Sequence, residues 1–261
     1  MNTAFGAKTN WGKSYGAQAY TERNAPEVDR VIMVDYKDEF GGLVESGLLQ
    51  RLTIPPGTTT LDVDDWHRIF DASGSLQLAR TGCTDEQWRE AISPLLLAIS
   101  QRDESVFLVF DEAHRLAPQR GSYPEAYDTL ATTWHGDAMV VVWVTQRWAK
   151  LDEDIVSQCQ SSLLGGFRST NDLDKIESVE YPVEVHQSTA NRVDRPLPEQ
   201  LLVDGEPLTL RRFTDDAGHT AGSEWIYSDD TTLKRVDSRE WEMESTHYGS
   251  DRKRIKHPFD G

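Results

Sequence analysis

Cysteine, lysine and long apolar runs are all scarce in this chain. Only Cys83 and Cys159 are present, and they fit neither a zinc pattern nor a disulfide scaffold, so both read as buried free thiols. No apolar stretch approaches the ~18 residues of a membrane span, and no basic-then-apolar leader opens the sequence. The expectation is a soluble, intracellular protein with no transmembrane segment of its own. Lysine is the most informative shortage. Eight Lys stand beside 19 Arg and 44 acids, for a formal net charge of −17. Such a polyanion would ordinarily repel nucleic acid. Strong acidity with few lysines is also what a protein working in molar salt is expected to show, and there the Debye length is ~3 Å, so global repulsion hardly reaches a ligand. Net charge therefore does not exclude a DNA partner, and a halophilic source is the compositional expectation.

At 261 residues the chain can bury one substantial core. Continuous apolar runs that end in polar residues recur at 30–35 (RVIMVD), 106–112 (VFLVFDE) and 139–146 (MVVVWVTQ), with a weaker one at 161–167. Between them, 85–101 and 123–134 have helical spacing and few breakers. Runs of this kind predict parallel strands buried on both faces, with ligands gathered at their carboxyl edge. The expected fold is α/β, a mostly parallel central sheet flanked by helices. After about residue 186 the character changes. Residues 187–200 read as a linker, followed by short strands at 207–213 and 224–228 and a polar tail. The expected organisation is thus a domain over 1–186 and a small β-containing extension over 187–261.

Residues 6–18, GAKTNWGKSYGAQ, nearly spell the phosphate-binding pattern GxxxxGK[ST]. The slot for the first glycine holds Ala7. Gly12-Lys13-Ser14 alone decides little, since a chain of this length contains GK[ST] by chance roughly one time in seven, and a glycine-rich turn is the alternative. The surroundings supply the other parts: Thr3-Ala4-Phe5 as a strand lead, Asn10 as the non-glycine residue most tolerant of left-handed dihedrals, and a helical stretch at 14–23. Aligned this way, Ala7, Lys8, Thr9, Asn10, Trp11, Gly12, Lys13, Ser14 and Tyr15 are the candidate ATP-binding residues. Lys13 would serve the β- and γ-phosphates and the Ser14 hydroxyl would serve Mg²⁺.

An ATPase of this type also needs an acid at the end of a buried strand to hold Mg²⁺ and often a neighbouring acid to polarise the attacking water. "VFLVFDEAH" offers Asp111 for the metal side and Glu112 as catalytic base; an acidic helix cap would account for one of the two. The string DEAH also names a helicase motif, but those helicases need two tandem domains, which this length cannot hold. At the end of the third run, Gln146 is placed to sense the γ-phosphate or the lytic water, the alternative being a strand-end amide bonded to a loop.

Taken in order, the P-loop, "VDYKDEF" (34–40), "FDEAHRLAP" (110–118) and the stretch from Gln146 to Asp174, with its TQR, SQC and Arg-x-x-x-Asp, resemble the HerA/FtsK superfamily of DNA-pumping ATPases over about residues 3–176. The resemblance implies a RecA-like (ASCE) P-loop NTPase, with ATP and Mg²⁺ as ligands, double-stranded DNA as partner and a homo-oligomeric ring, pentamer or hexamer, as assembly. With the P-loop starting at residue 6, no room remains for the N-terminal barrel or membrane spans of the cellular branches. The plan looks most like the genome-packaging ATPases of tailless, membrane-containing icosahedral viruses, here of an archaeal, halophilic host. Capsid-vertex or internal-membrane proteins are then the implied docking partners, and the host cytoplasm or a packaging vertex the implied location. A cellular or plasmid translocase and a non-hydrolysing nucleotide-gated scaffold are the alternatives. In one respect the chain departs from the family. Where members often carry a trans-acting arginine in an R-x-x-G context, it has Trp134-His135-Gly136. Arg115, Arg120, Arg147 and Arg168 remain as candidates, Arg147 and Arg168 being nearest the strand edges. The tail at 251–258, DRKRIKHP, reads either as a solvated end or as a clamp on DNA or a neighbour's acidic surface.

Overall fold

The computed structural model describes residues 1–132, 139–176, 179–187, 190–216 and 218–248. Trp134-His135-Gly136 and the basic tail lie outside them. In chain order the elements are β1 (Asn2–Gly6), α1 (Lys13–Asn24), β2 (Arg30–Asp35), α2 (Gly41–Glu45), β3 (Gln50–Ile54), α3 (Val63–Ala72), β4 (Leu76–Arg80), α4 (Asp85–Ser100), β5 (Val106–Phe110), α5 (Glu125–Thr132), β6 (Met139–Thr145), α6 (Glu153–Ser157), β7 (Ser161–Leu164), α7 (Thr170–Ile176), β8 (Arg212–Thr214), β9 (Thr220–Asp229) and β10 (Leu233–Asp237).

All ten strands join one sheet in the order β10-β9-β7-β1-β6-β5-β2-β4-β3, with β8 paired to β9. From β7 to β3 every pairing is parallel. The runs in β2 and β5 are buried along their whole length, because alternate residues face two different cores. Ile32, Val34, Leu108 and Phe110 pack with Trp88, Ile92 and Leu95 of α4 on one face. Val31, Met33, Phe107 and Val109 pack with Ala17 of α1 and with Trp225 on the other. A capping box starts α4, Thr84 Oγ1 accepting from Gln87 N at 3.2 Å while the Gln87 side chain accepts from Thr84 N. Strand register aligns the carboxyl ends. Gly6 lies opposite Thr145, Phe110 opposite Trp143 and Val34 opposite Phe110, so the residues following β1, β6, β5 and β2 emerge along one edge.

The segment after residue 186 is built into this sheet. β9 pairs antiparallel with β7, and β10 with β9. The expected linker packs Val193 and Leu197 into the core. The expected strand at 207–213 is shorter than read, only Arg212–Thr214 being strand. The carbonyls of Leu208 and Thr209 instead accept hydrogen bonds from the Arg235 guanidinium at 2.9 and 2.8 Å, a side chain serving backbone groups that a ladder would otherwise satisfy. Both cysteines are free, Cys83 buried and Cys159 half-buried.

Candidate nucleotide site

After β1 the chain turns tightly. Asn10 (φ 59°) and Gly12 (φ 90°) take left-handed conformations, and α1 begins at Lys13. Ala7 is not among the positive-φ residues, so no glycine is required in its slot. It is fully buried, and its N–H donates to Thr145 O at 3.2 Å, while Lys8 N–H donates to Gly166 O at 2.9 Å. These two candidate loop amides are therefore committed to neighbouring strand ends. Trp11 also turns inward. Its indole N–H donates to Glu224 O at 3.1 Å, and a Cβ at Gly165 or Gly166 would collide with its ring. The remaining loop residues, Thr9, Asn10, Gly12, Lys13, Ser14 and Tyr15, line a cavity of about 590 Å³.

Opposite Lys13 stand the two acids after β5. Asp111 is 3% exposed and its Oδ2 has no hydrogen-bond partner. Burial, then repulsion from Glu112 and Asp35, pushes its carboxyl well above the ordinary range. Glu112, 2% exposed, is held in a left-handed backbone conformation (φ 49°), strain of the kind that accumulates at functional sites. Its carboxylate is ion-paired with Lys37 and lies 3.3 Å from His114 Nδ1. His114 Nδ1 also lies 3.0 Å from Thr145 Oγ1, and burial pulls that imidazole down to about 4, so it is neutral at pH 7. Lys13 is lowered by burial, against the opposing pull of Glu112. Burial would lower Lys37 as well, but the combined attraction of Glu112, Asp111 and Glu39 outweighs it and raises the ammonium above its ordinary value.

Lys37 is a site residue that the sequence reading passed over, although it sits inside the "VDYKDEF" stretch already singled out. The turn that presents it is tied at both ends. Asp35 accepts from Glu39 N (3.1 Å), Phe40 N (3.0 Å) and Gln77 Nε2 (2.6 Å), and Asp38, at φ 62°, is paired with Arg51. Gln146 lines the cavity, and its Oε1 accepts from Thr9 Oγ1 at 2.8 Å, so the strand-end amide is bonded to the phosphate loop itself. Arg147 and Arg168 are exposed and do not line the cavity. Asp172 of the Arg-x-x-x-Asp pair accepts from Ala149 N at 2.8 Å, tying α7 to the loop behind Arg147. Arg115 is bonded to Asp85 at 3.0 Å, and Arg120 is exposed.

The far wall of the cavity comes from the C-terminal extension, which carried no expected site residue. Ser223 Oγ donates to Trp11 O at 2.6 Å, Thr220 Oγ1 to Asn10 O at 3.1 Å and Tyr15 OH to Trp241 O at 3.3 Å. Arg212, His219, Ser238, Arg239 and His247 complete the lining. Among the described residues no group of three His, Cys, Asp or Glu could hold a metal ion. A Mg²⁺ here would have Ser14 and Asp111 as protein ligands and need phosphate and water for the rest, the usual arrangement for this cation. The unpartnered Asp111 Oδ2 fits that role.

The fold that carries this site is shared with solved structures. The genome-packaging NTPase B204 from Sulfolobus turreted icosahedral virus 2, in complex with ATPγS, matches over 90% of this chain and 95% of its own, with a TM-score of 0.55 and 13% identity. The fold is that of the RecA-like P-loop ATPases. VirB4 of Thermoanaerobacter pseudethanolicus shares this RecA-like fold over 90% of this chain and 88% of its own, with a TM-score of 0.56 and 12% identity. So does B204, the DNA-packaging ATPase from Sulfolobus Turreted Icosahedral Virus, at 0.55 and 13%. These neighbours are of the HerA/FtsK type that the motifs resemble. No family model matches the chain, and no curated protein is similar to it in sequence. Among the described residues no helix is long and apolar enough to cross a membrane.

Proposed function

We propose that this chain is an ATP-hydrolysing DNA translocase, a genome-packaging motor that pumps double-stranded DNA into a capsid. The observation that carries the proposal is the buried Asp111 that lines one cavity with Lys13, a carboxylate oxygen left unpartnered, with Glu112 next to it and close enough to attract Lys13. Open loop amides and Lys13 would bind the phosphates of ATP. A Mg²⁺ held by Ser14 and Asp111 would neutralise charge building on the β- and γ-phosphates. Phosphate oxygens entering the cavity compete with Glu112 for Lys37, which leaves the carboxylate to take the proton of the attacking water. Gln146, released from Thr9, would orient that water.

Arg168, then Arg147, are the preferred groups for acting on a neighbouring subunit's nucleotide in a ring, because both are exposed near the site edge. The names of the structural neighbours, a genome-packaging NTPase and a DNA-packaging ATPase, support the viral reading; VirB4 keeps a conjugation-type translocase as the second reading. The test is ATP hydrolysis at high salt with and without long double-stranded DNA. Backbone contacts carry no base information, so stimulation should be independent of sequence, weak with short oligonucleotides that slip out, and lost along with basal turnover in Lys13→Ala. An assembled ring equally active with and without long DNA would point to a nucleotide-gated scaffold or to a motor acting on another substrate.

A further inference from the structure

The phosphate loop stands at a divide in the sheet. On one side of β1 lie β6, β5 and β2, followed by Gln146, Asp111, Glu112 and Lys37; on the other lie β7, β9 and β10, with β8 beside β9. On the function proposed above, on which this inference rests, the phosphate that is cleaved lies toward the first side. The rest of the nucleotide then extends toward the second, where the cavity wall includes Tyr15, Arg212, His219, Ser238, Arg239 and His247.

Arg239 is built there as a plane. Its Cζ lies 3.6 Å from the centroid of the Phe213 ring. Its edge is tied to Asp237, Nε donating to Oδ1 and Oδ2 at 3.1 and 3.0 Å and Nη2 to Oδ2 at 2.6 Å. Arg239 is part of the cavity wall and Phe213 is not, so the ring backs the guanidinium from outside the lining. The side chain is 51% exposed. A guanidinium backed by an aromatic ring is flat, weakly hydrated and suited to stacking on a second π-system. A phosphate-binding arginine, by contrast, uses its forked edge donors on oxygen, and here much of that edge is already given to Asp237. Arg212, on the same wall, donates through Nη1 to Thr220 Oγ1 at 3.1 Å. His247, which meets the Tyr15 ring edge-on at 5.6 Å, is kept neutral at pH 7 by burial and offers no charge to a phosphate.

We propose that the plane of Arg239, supported by Phe213 and fixed by Asp237, turns its free face to the cavity and is the platform on which the purine base of the bound nucleotide stacks. The C-terminal extension then supplies the nucleoside half of the site and the parallel strands the hydrolytic half.

Titration calorimetry of the full chain with ATP, ADP and inorganic tripolyphosphate separates base from phosphate recognition. Arg239→Lys keeps the charge and loses the plane. It should weaken ATP and ADP about tenfold while leaving tripolyphosphate within about twofold of the parent. Arg239→Ala should behave alike. Phe213→Leu, which removes the backing ring and leaves the arginine in place, should give a smaller loss of the same kind and covers the case in which the arginine variants do not fold. The proposal is overturned if Arg239→Lys binds ATP like the parent, or if tripolyphosphate affinity falls in step with ATP, which would make Arg239 a phosphate ligand. A parent chain that binds neither ATP nor tripolyphosphate sinks the ATPase reading and this one with it; a parent that binds both, with no selective loss in the variants, sinks only this one.

Discussion

Asp111 and Glu224 are almost equally buried acids, 3% and 4% exposed, on opposite sides of the phosphate loop. Glu224 is saturated with partners. Arg211 donates to it through Nε at 2.9 Å and through its backbone N–H at 2.8 Å, and Arg235 pairs with the other side of the carboxylate. Burial opposes its ionisation, but these hydrogen bonds outweigh the penalty and hold the carboxyl below its ordinary value. Asp111 is as little exposed but shifts the opposite way, because its deeper burial raises it first, Glu112 and Asp35 raise it further, and its Oδ2 has no partner. An acid buried with its counter-charges holds the fold together, whereas one buried without them leaves an interaction to be completed by something that binds. The half of the cavity proposed to hydrolyse ATP is therefore the unfinished half, and the C-terminal wall the finished one.

The largest expected effect lies on the unfinished side. Glu112→Gln keeps size and backbone and removes the base, so turnover should fall about 10²–10⁴-fold, with ATP affinity little changed. Single-turnover hydrolysis and a filter-binding assay check the two halves of this statement. Turnover near the parent rate would remove Glu112 from the base role and leave its ion pair with Lys37 as a structural contact.

On the finished side the effect should appear in stability. Glu224→Gln leaves Arg235 buried beside a neutral amide, and breaking a buried pair from one side costs about 3–5 kcal/mol. For a chain of this size the unfolding midpoint should drop on the order of 10 °C. The pH dependence follows from the sign of the shift. A carboxyl lower in the folded than in the unfolded state contributes stability above its unfolded value, near 4.5, and loses it as pH falls through the folded value. The gap between parent and variant should therefore be widest at neutral pH and close in acid. A constant gap from neutral pH to acid would mean that packing, and not charge, sets the loss.

Much of the hydrolytic half was legible in the sequence because its signals are local. A buried run must end in something polar, and "VFLVFDE" and "MVVVWVTQ" put Asp111, Glu112 and Gln146 at those ends with no knowledge of strand order. β3 and β4 were not legible. "QRLTI" and "LQLAR" alternate polar and apolar residues over only five positions, and their strand character comes from pairing with each other and with β2. The far wall was hidden for a different reason. Ser223 and His247 bond to Trp11 and Gln18 across more than 200 residues of chain, Arg239 shares the cavity with Lys13, and no spacing rule links a β-hairpin to a loop at the other end of the sequence. Lys37 lay between these cases, since its motif was visible, but its partner, Glu112, comes from a strand that is adjacent only in space.

A smaller effect of opposite direction sharpens the contrast between the acids. Asp111→Asn removes a carboxyl whose ionisation burial and neighbouring acids oppose more than Lys37 favours it, so without nucleotide the variant should unfold at a higher temperature than the parent, by about 1–2 kcal/mol of stability. It should also lose the stabilisation that Mg²⁺-ATP confers on the parent. Thermal unfolding with and without ligand gives both numbers, and a variant less stable than the parent when free of ligand would mean that Asp111 is satisfied by contacts of the fold itself.

The smallest expected effect concerns the residue that first set the phosphate loop apart from its pattern. Ala7→Gly restores the glycine, and if the substitution of alanine had weakened the loop, ATP affinity should rise. The geometry predicts otherwise. Ala7 needs no left-handed dihedral, its N–H is already bonded to Thr145 O, and its methyl group fills space beside Gly165. Removing that methyl should cost about 0.5–1 kcal/mol through the greater freedom of the unfolded chain and the lost contact, with ATP affinity unchanged. Besides Gly12, with its left-handed backbone, the glycines the loop needs are Gly165 and Gly166, just after β7, where Trp11 leaves no room for a side chain. Gly165→Ala should therefore disturb nucleotide binding more than Ala7→Gly does, although it lies outside the motif. A higher ATP affinity in Ala7→Gly would show that the loop amides rearrange on binding and that the first position of the pattern matters here after all.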